Sequence, residues 1–391
     1  MLYKKQLLIV AHHLTIGGAQ KSLLAALKVI DYSKYDVTLY LRKNRTDLLQ
    51  LVDDRVNVII NKDTKSYYKK PLAVWYQLCI ALSSIVNKKE LTEKLNQKLS
   101  LLINRYSMEY ERKQFFNNKS YDIAISYVHG YDALFVADYV DAERKLVFYH
   151  TSVDELHWLH ESIFHKFGGV VAINNEQKEL LSTWYPQISS KLTVVENYCD
   201  KALLCEQSKA YNVPKQEGRL ILCSCGRLSS VKGFDLAVEA ARLLKENNLL
   251  FIWYFVGDGP ERGKIEELIK KYDLSEEIVI TGMQKNPYPY IDACDIYVQP
   301  SYQEAMPMTL IEAKRLCKPM ITTDTVGGRK LVADNFNGII CDINGGSLAF
   351  AVKKLAENKS LYDELKNNLN SVDYSGEEIT YKNQWLKLLG E

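Results

Sequence analysis

Residues 299–328 read Gln-Pro-Ser-Tyr-Gln-Glu-Ala-Met-Pro-Met-Thr-Leu-Ile-Glu-Ala-Lys-Arg-Leu-Cys-Lys-Pro-Met-Ile-Thr-Thr-Asp-Thr-Val-Gly-Gly. The apolar run Ile296–Val298 ahead of them predicts a strand, and the polar loop after it ends at Pro307. Proline suits the first position of a helix, where its missing N–H would have had no partner anyway. The helix it starts carries Leu310, Ala313 and Cys317 on one face, and Lys318-Pro319 stops it. At the helix start the N–H groups of Met308, Thr309 and Leu310 have no internal acceptor. With the positive end of the helix dipole behind them they make an anion site.

Two carboxylates flank that site: Glu304 in the loop and Glu312 within the helix. They have no evident use for a bare phosphate. A diphosphate with hydroxyls on both sides, as in a nucleotide sugar, would use both: Glu312 at the ribose, Glu304 at the sugar. The bare spacing fits a surface helix with two solvated glutamates equally well.

The strand–turn–helix rhythm extends to either side. In the second half, strands are expected at Leu220–Ser224, Phe251–Val256, Ile278–Thr281, Met320–Thr322 and Gly338–Cys341. The turn after the first of these holds Arg227 and Lys232 between Gly226 and Gly233, two cations able to neutralise a diphosphate. As solvated loop charges they would carry no message. Gly257-Asp258-Gly259-Pro260 lacks the third glycine of a dinucleotide fingerprint and is a weak signal.

In the first half the expected strands are Gln6–Ala11, Asp36–Leu41, Val56–Ile60, Tyr121–Tyr127, Arg144–Phe148, Val170–Ile173 and Val194–Asn197. The first runs into a turn with Gly17-Gly18 and no GxGxxG, which disfavours a dehydrogenase. Those glycines suit close approach of backbone to a ligand, or an ordinary turn. His150 follows a strand at its carboxyl end, where open α/β sheets bind ligands. His157, His160 and His165 match no common zinc spacing, and no cysteine joins them. Asn174 or Asn175 is placed to cap the next helix.

Residues 62–114 break the rhythm. They hold the apolar run Pro71–Val86 with Trp75 and Tyr76, Lys69-Lys70 before it and Lys88-Lys89 after it. The segment has 11 Lys/Arg against 5 Asp/Glu, a balance of +6 in a chain of net charge +2. Such a segment can lie on an anionic membrane surface, or pack as a helical hairpin on its own domain.

At 391 residues two domains are expected, here 1–200 and 201–374 with a terminal helix over 375–391 returning to the first. Charged residues are 25% and the net charge is small, so bulk attraction to nucleic acid is not implied. The five-residue apolar run Leu7–Ala11 does not read as a signal peptide, and no stretch reaches transmembrane length. Eight scattered cysteines, with no CxxC pair, read as free thiols in a reducing compartment.

Glu304-x7-Glu312 in the form Glu-Ala-Met-Pro-Met-Thr-Leu-Ile-Glu-Ala, Gly-Arg-Leu-Ser-x-x-Lys-Gly at 226–233 and Val-Gly-Asp-Gly-Pro at 256–260 occur in one order. Together they resemble the retaining GT-B glycosyltransferases of family 4, which include bacterial capsule and lipopolysaccharide enzymes. The resemblance is strong over 218–342, weaker over 1–40 and 121–200, and absent over 45–120. It implies two Rossmann-like, doubly wound parallel-sheet α/β domains facing across a cleft. It also implies transfer of a hexose, with UDP the favoured nucleotide, to a glycan or lipid-linked acceptor in surface polysaccharide synthesis. Retention of anomeric configuration is implied, and same-face attack, with the departing phosphate taking the acceptor proton, is the favoured route.

By the same resemblance Arg227, Lys232 and the backbone of Met308, Thr309 and Leu310 bind the diphosphate, Glu304 the sugar and Glu312 the ribose. Gly282, Met283 and Gln284 face the base, Gly17 and Gly18 close over the donor, and His150 is the active-site histidine. The catalytic set is thus Glu304, His150, Lys232 and Arg227. Gln20 stands where an acidic residue is common and Asn175 where serine is common. No Asp-x-Asp occurs, so no metal and no cofactor is expected. The expected place of work is the cytoplasm, with peripheral contact at the inner membrane face through 62–114. Two alternatives stay open: a non-hydrolysing nucleotide-sugar epimerase, and a non-catalytic two-lobed sugar-binding protein.

Overall fold

The computed structural model describes residues 4–62, 89–150, 157–214 and 217–391. The chain divides into two compact units, one of Met1–Val195 with Gln384–Glu391, the other of Glu196–Asn383. Among the described residues no helix is long and apolar enough to cross a membrane.

The first unit is built on seven parallel strands: β1 (Lys5–Ala11), β2 (Tyr35–Leu41), β3 (Asn57–Ile60), β4 (Ser120–Ser126), β5 (Asp141–Tyr149), β6 (Gly169–Ala172) and β7 (Leu192–Val194). Their order across the sheet is β3-β2-β1-β4-β5-β6-β7. The strand expected at Val194–Asn197 is displaced. The sheet takes Leu192–Val194, Val195 adds a last bond to Ala172, and the chain then leaves to start the helix Lys201–Gln207, capped by Asp200 on the N–H of Leu203. Asn174, not Asn175, caps the helix Asn175–Trp184 by accepting from the N–H of Gln177.

Within 62–114 the described part is one helix, Lys89–Phe115. Met108 enters the core of its own unit and Glu111 is buried beneath Tyr40 and Arg42, so this helix packs on its own sheet. Pro71–Val86, with Trp75 and Tyr76, lies outside the described residues, as do Thr151 and Ser152. The end of the chain closes this unit: Trp385, fully buried, stacks on Phe148 at 5.4 Å between ring centroids.

The second unit has six parallel strands: β8 (Leu220–Cys225), β9 (Phe251–Val256), β10 (Ile278–Gly282), β11 (Ile296–Gln299), β12 (Met320–Thr323) and β13 (Gly338–Cys341), in the order β10-β9-β8-β11-β12-β13. These strands are continuous apolar runs because both faces are covered by helices. Leu222, Trp253, Phe255, Ile296 and Val298 enter one core, and the alternate residues Ile221, Cys223, Tyr254 and Tyr297 enter the other. Trp253 is satisfied in that interior by donating to Ser224 Oγ at 3.0 Å.

In each sheet the strand order reverses beside the first strand, between β1 and β4 and between β8 and β11. The loops leaving adjacent strands at such a point diverge to opposite faces and leave a crevice at the carboxyl ends. The stretch 300–307 leaves β11 and the turn 226–233 leaves β8, so both border the crevice of the second sheet.

Candidate active site

The helix after β11 runs Met308–Arg315 with Pro307 as its N-cap. Two expectations about it need correction. Cys317 does not continue its face. The N–H of Lys318 bonds the carbonyl of Ala313 and that of Cys317 bonds Lys314, a closing motif that puts Cys317 in the left-handed region at φ 55°. The N–H of Leu310 is not open either, since it donates to the carbonyl of Pro307 at 3.2 Å. The N–H groups of Met308 and Thr309 have no acceptor among the described residues and form the open part of the helix start.

Glu304 is buried, at 8% exposure. Taking a carboxylate out of water costs several kcal/mol, on the order of the idealised penalty after relaxation, unless donors replace the water. Three do so, all on Oε1: Lys232 Nζ at 2.7 Å, Ser301 Oγ at 2.8 Å and Gln299 Nε2 at 2.9 Å. Oε2 takes no part in those bonds and is the oxygen able to receive ligand hydroxyls. Gln299 is itself fixed, because its Oε1 accepts from Thr309 Oγ1 at 2.9 Å and from Tyr297 Oη at 3.1 Å. A chain of hydrogen bonds thus runs from the helix start through Gln299 to Glu304 and Lys232.

Lys232 reaches this point because of Gly233, whose φ of 64° lets the turn fold against Pro300 and Ser301. Gly257 has a related task at φ 156°: a Cβ there would sit 1.8 Å from the carbonyl oxygen of Gly226. The weak Gly-Asp-Gly-Pro signal is therefore a packing device. It presses the loop after β9 onto the turn of Arg227, with Leu228 bonding the carbonyl of Asp258. Arg227 is exposed and takes no part in the ion pairs among the described residues. Fixed backbone, one free guanidinium and one half-buried ammonium surround the crevice.

Glu312 is wholly buried, and Tyr288 Oη donates to its Oε1 at 3.4 Å. Tyr288 is a partner that the sequence position of Glu312 did not suggest. Gly282 ends β10, and Met283 and Gln284 follow it at the carboxyl end of the sheet. Gly282 has φ 71°, Met283 is exposed, and Gln284 Nε2 donates to the carbonyl of Thr281 at 2.8 Å.

In the first unit Gly17 is the N-cap of the helix Gly18–Val29. His150 lies just past β5, with its Nε2 buried and without an acceptor or donor among the described residues. Burial, reinforced by the nearby His129, pushes its imidazole down to about 3. It is neutral at physiological pH and can serve a ligand as a hydrogen-bonding group but not as a standing cation. His160 is a packing residue, stacked on Phe164 and 3.3 Å from Tyr185 Oη.

Sequence reading missed Gln299, Ser301, Tyr297 and Tyr288. Gln299 was legible in principle, as a polar residue closing a buried apolar strand on the loop of Glu304. Tyr288 comes from a helix eleven residues before the stretch in question and gave no local sign.

Two doubly wound parallel sheets, with a cation–carboxylate pair at the switch point of the second, give the chain a fold of the GT-B type. Residues 207–371 match the model of the family described as Glycosyl transferases group 1. An uncharacterized glycosyltransferase of Methanocaldococcus jannaschii is 28% identical over 182 residues, 44% of this chain and 44% of that protein. The O-antigen biosynthesis glycosyltransferase WclY of Escherichia coli is 28% identical over 129 residues, 33% of this chain and 35% of its own. The chain spans less than half the length of these curated relatives. Among solved structures, Anabaena HepE in complex with UDP and glucose superposes over 99% of this chain and 100% of its own with a TM-score of 0.72 at 14% identity, a likeness of fold.

Proposed function

We propose that the protein is a retaining, metal-independent hexosyltransferase. In this reading it moves a sugar from a nucleoside diphosphate, UDP first, to a glycan or lipid-linked acceptor in bacterial surface polysaccharide synthesis. The observation that carries the reading is the buried Glu304 carboxylate gripped by Lys232 at 2.7 Å beside an open helix start. A phosphate site alone would have no use for that carboxylate. A sugar joined to a diphosphate uses the anion and hydroxyl features together.

Transfer breaks the bond between the anomeric carbon and the diphosphate through a transition state with oxocarbenium character. Negative charge gathers on the departing diphosphate. Arg227, Lys232 and the N–H groups of Met308 and Thr309 would meet it, already in place before the charge develops. Oε2 of Glu304 would hold a sugar hydroxyl, Glu312 the ribose, and the backbone at Gly282–Gln284 the base. His150, neutral and with a buried Nε2 that has no partner among the described residues, is assigned to a sugar hydroxyl, and Gly17-Gly18 to backbone contact with the donor.

A thermal-shift screen of UDP-, GDP- and ADP-sugars tests the donor. At one hundred times its dissociation constant a ligand stabilises by about 2.7 kcal/mol. For a domain of this size that raises the melting temperature by roughly 5–10 °C. Silence from all three classes refutes the reading. The acceptor side includes a proposed contact of 62–114 with the anionic inner membrane face. Replacing Trp75 and Tyr76 by Ser is expected to reduce co-sedimentation with phosphatidylglycerol vesicles by several-fold, and unchanged sedimentation removes the contact.

A further inference from the structure

One buried side chain joins the elements that border the crevice of the second sheet. Gln299 ends β11 and is 3% exposed. Its Oε1 accepts from Thr309 Oγ1 at 2.9 Å, at the open helix start, and from Tyr297 Oη at 3.1 Å. Its Nε2 donates to Ser301 Oγ at 2.8 Å and to Glu304 Oε1 at 2.9 Å, in the loop after β11. Tyr297 in turn accepts from the N–H of Cys225 at 3.2 Å, where β8 passes into the turn of Arg227 and Lys232. An amide offers a pair of hydrogens and a pair of lone pairs, and here each of them is used.

Each of these bonds fixes the direction of the others. The Glu304 oxygen that faces Lys232 Nζ accepts, so the amide edge turned toward it is the N–H edge. Ser301 takes the other amide hydrogen and therefore has its own to give to Glu304 Oε1, at 2.8 Å. Tyr297 holds the Cys225 N–H on its oxygen and has its hydrogen for Gln299. A flipped amide would press its carbonyl oxygen against a carboxylate oxygen, so one orientation is stable. The Glu304 plane is set by the same means: one oxygen faces inward to Lys232, Ser301 and Gln299, and the other is left for a ligand. A buried polar network in which every member is satisfied specifies a single arrangement.

We propose that Gln299 is a positioning residue for the sugar of the donor. It sets the plane of the Glu304 carboxylate, and it is itself held from the diphosphate end by the hydroxyl of Thr309. This rests on the donor reading above and deepens it. Recognition of the sugar then depends on a group beside the phosphates, and Gln299 controls how far the site distinguishes the intact nucleotide sugar from the free nucleotide. Its influence passes through Glu304, and the nucleotide contacts do not need it.

The test titrates the full chain with UDP and with UDP-glucose by calorimetry and follows the ratio of the two dissociation constants. Gln299→Met keeps the length of the side chain and removes its donor and its acceptor. It is expected to bind UDP as the native protein does and to weaken UDP-glucose about tenfold, the scale of one hydrogen bond to a charged group. Thr309→Val keeps the open backbone N–H and removes only the hydroxyl. It is expected to move the ratio in the same direction by about threefold, the scale of one neutral hydrogen bond, whereas Thr309→Ser, which keeps the hydroxyl, retains the ratio. A merely structural role would weaken both ligands together. The ligand-free crystal structure of Gln299→Met is expected to show the Glu304 carboxylate turned away from Ser301 Oγ. An unchanged ratio in either variant, an equal loss of both affinities, or a Glu304 carboxylate in its native place overturns the proposal. Should Gln299→Met fail to fold, Thr309→Val against Thr309→Ser decides. If neither ligand binds the native protein, the donor reading falls, and the ligand-free structure still decides whether Gln299 sets Glu304.

Discussion

On the proposed reading Lys232→Ala and Glu304→Ala are each expected to lower kcat of sugar transfer by about 10²–10³, and the double variant to be little worse than either. The magnitude is that of removing one fixed group that meets charge developing in a transition state. Non-additivity follows from the geometry. Lys232 Nζ and Glu304 Oε1 are 2.7 Å apart, and the same oxygen takes Ser301 and Gln299. Without Lys232, Glu304 keeps two donors but loses the one that fixes Oε1 from the 226–233 turn, and Oε2 meets the sugar less well. Without Glu304, the ammonium has no fixed partner and the crevice gains an uncompensated cation. Each change therefore disables both groups, as expected for neighbours in one network. Circular dichroism and a melting curve establish that the fold survives. Near-normal turnover in either variant, or strictly additive losses, would sink the assignment of these residues to one working pair.

Why Glu304 and Lys232 could each be singled out from the chain, while their contact and other parts of the site could not, comes down to distance along it. The run into Pro307, the helix after it and the Arg227–Gly233 turn are local patterns, since each depends on residues a few positions apart. Strand period and glycine placement announce them, and β9 and β13 fall where the apolar runs fall. The partners that hold Glu304 in place are set by tertiary packing. Gln299 shows as a polar strand end, but its partners stay hidden until β11 is known to lie beside β8, and Tyr288 announces nothing until its helix meets Glu312. The open N–H of Leu310 was misjudged for a related reason. A first turn can tighten into a bond three residues long, and the sequence does not tell which donors it will consume.

Gly233→Ala lowers the stability of the second unit and weakens binding of the nucleotide at the same time. The residue sits at φ 64°, where an alanine costs about 1–2 kcal/mol from the left-handed conformation alone. Its Cβ would then stand 1.9 Å from the carbonyl oxygen of Pro300 and 2.8 Å from the carbonyl carbon. Neither is the flexible end of a side chain, so the two loops must separate. Adding that displacement at the scale of other forced backbone strain brings the expected loss to roughly 2–4 kcal/mol. For a unit of this size the melting temperature falls by roughly 5–15 °C. Because Lys232 is the residue just before it, moving this turn also draws its ammonium from Glu304, so affinity for UDP is expected to fall with stability. Gly263→Ala is the control. Its position lies in the helix Arg262–Lys271 with nothing within 4 Å of a built Cβ, and alanine there is expected to be neutral or to stabilise by up to about 1 kcal/mol. If Gly233→Ala melts with the native protein and binds UDP as well, the close approach of the 226–233 turn to Pro300 does not hold the pyrophosphate cations in place. The order of events at the crevice would then have to be built on the helix start alone.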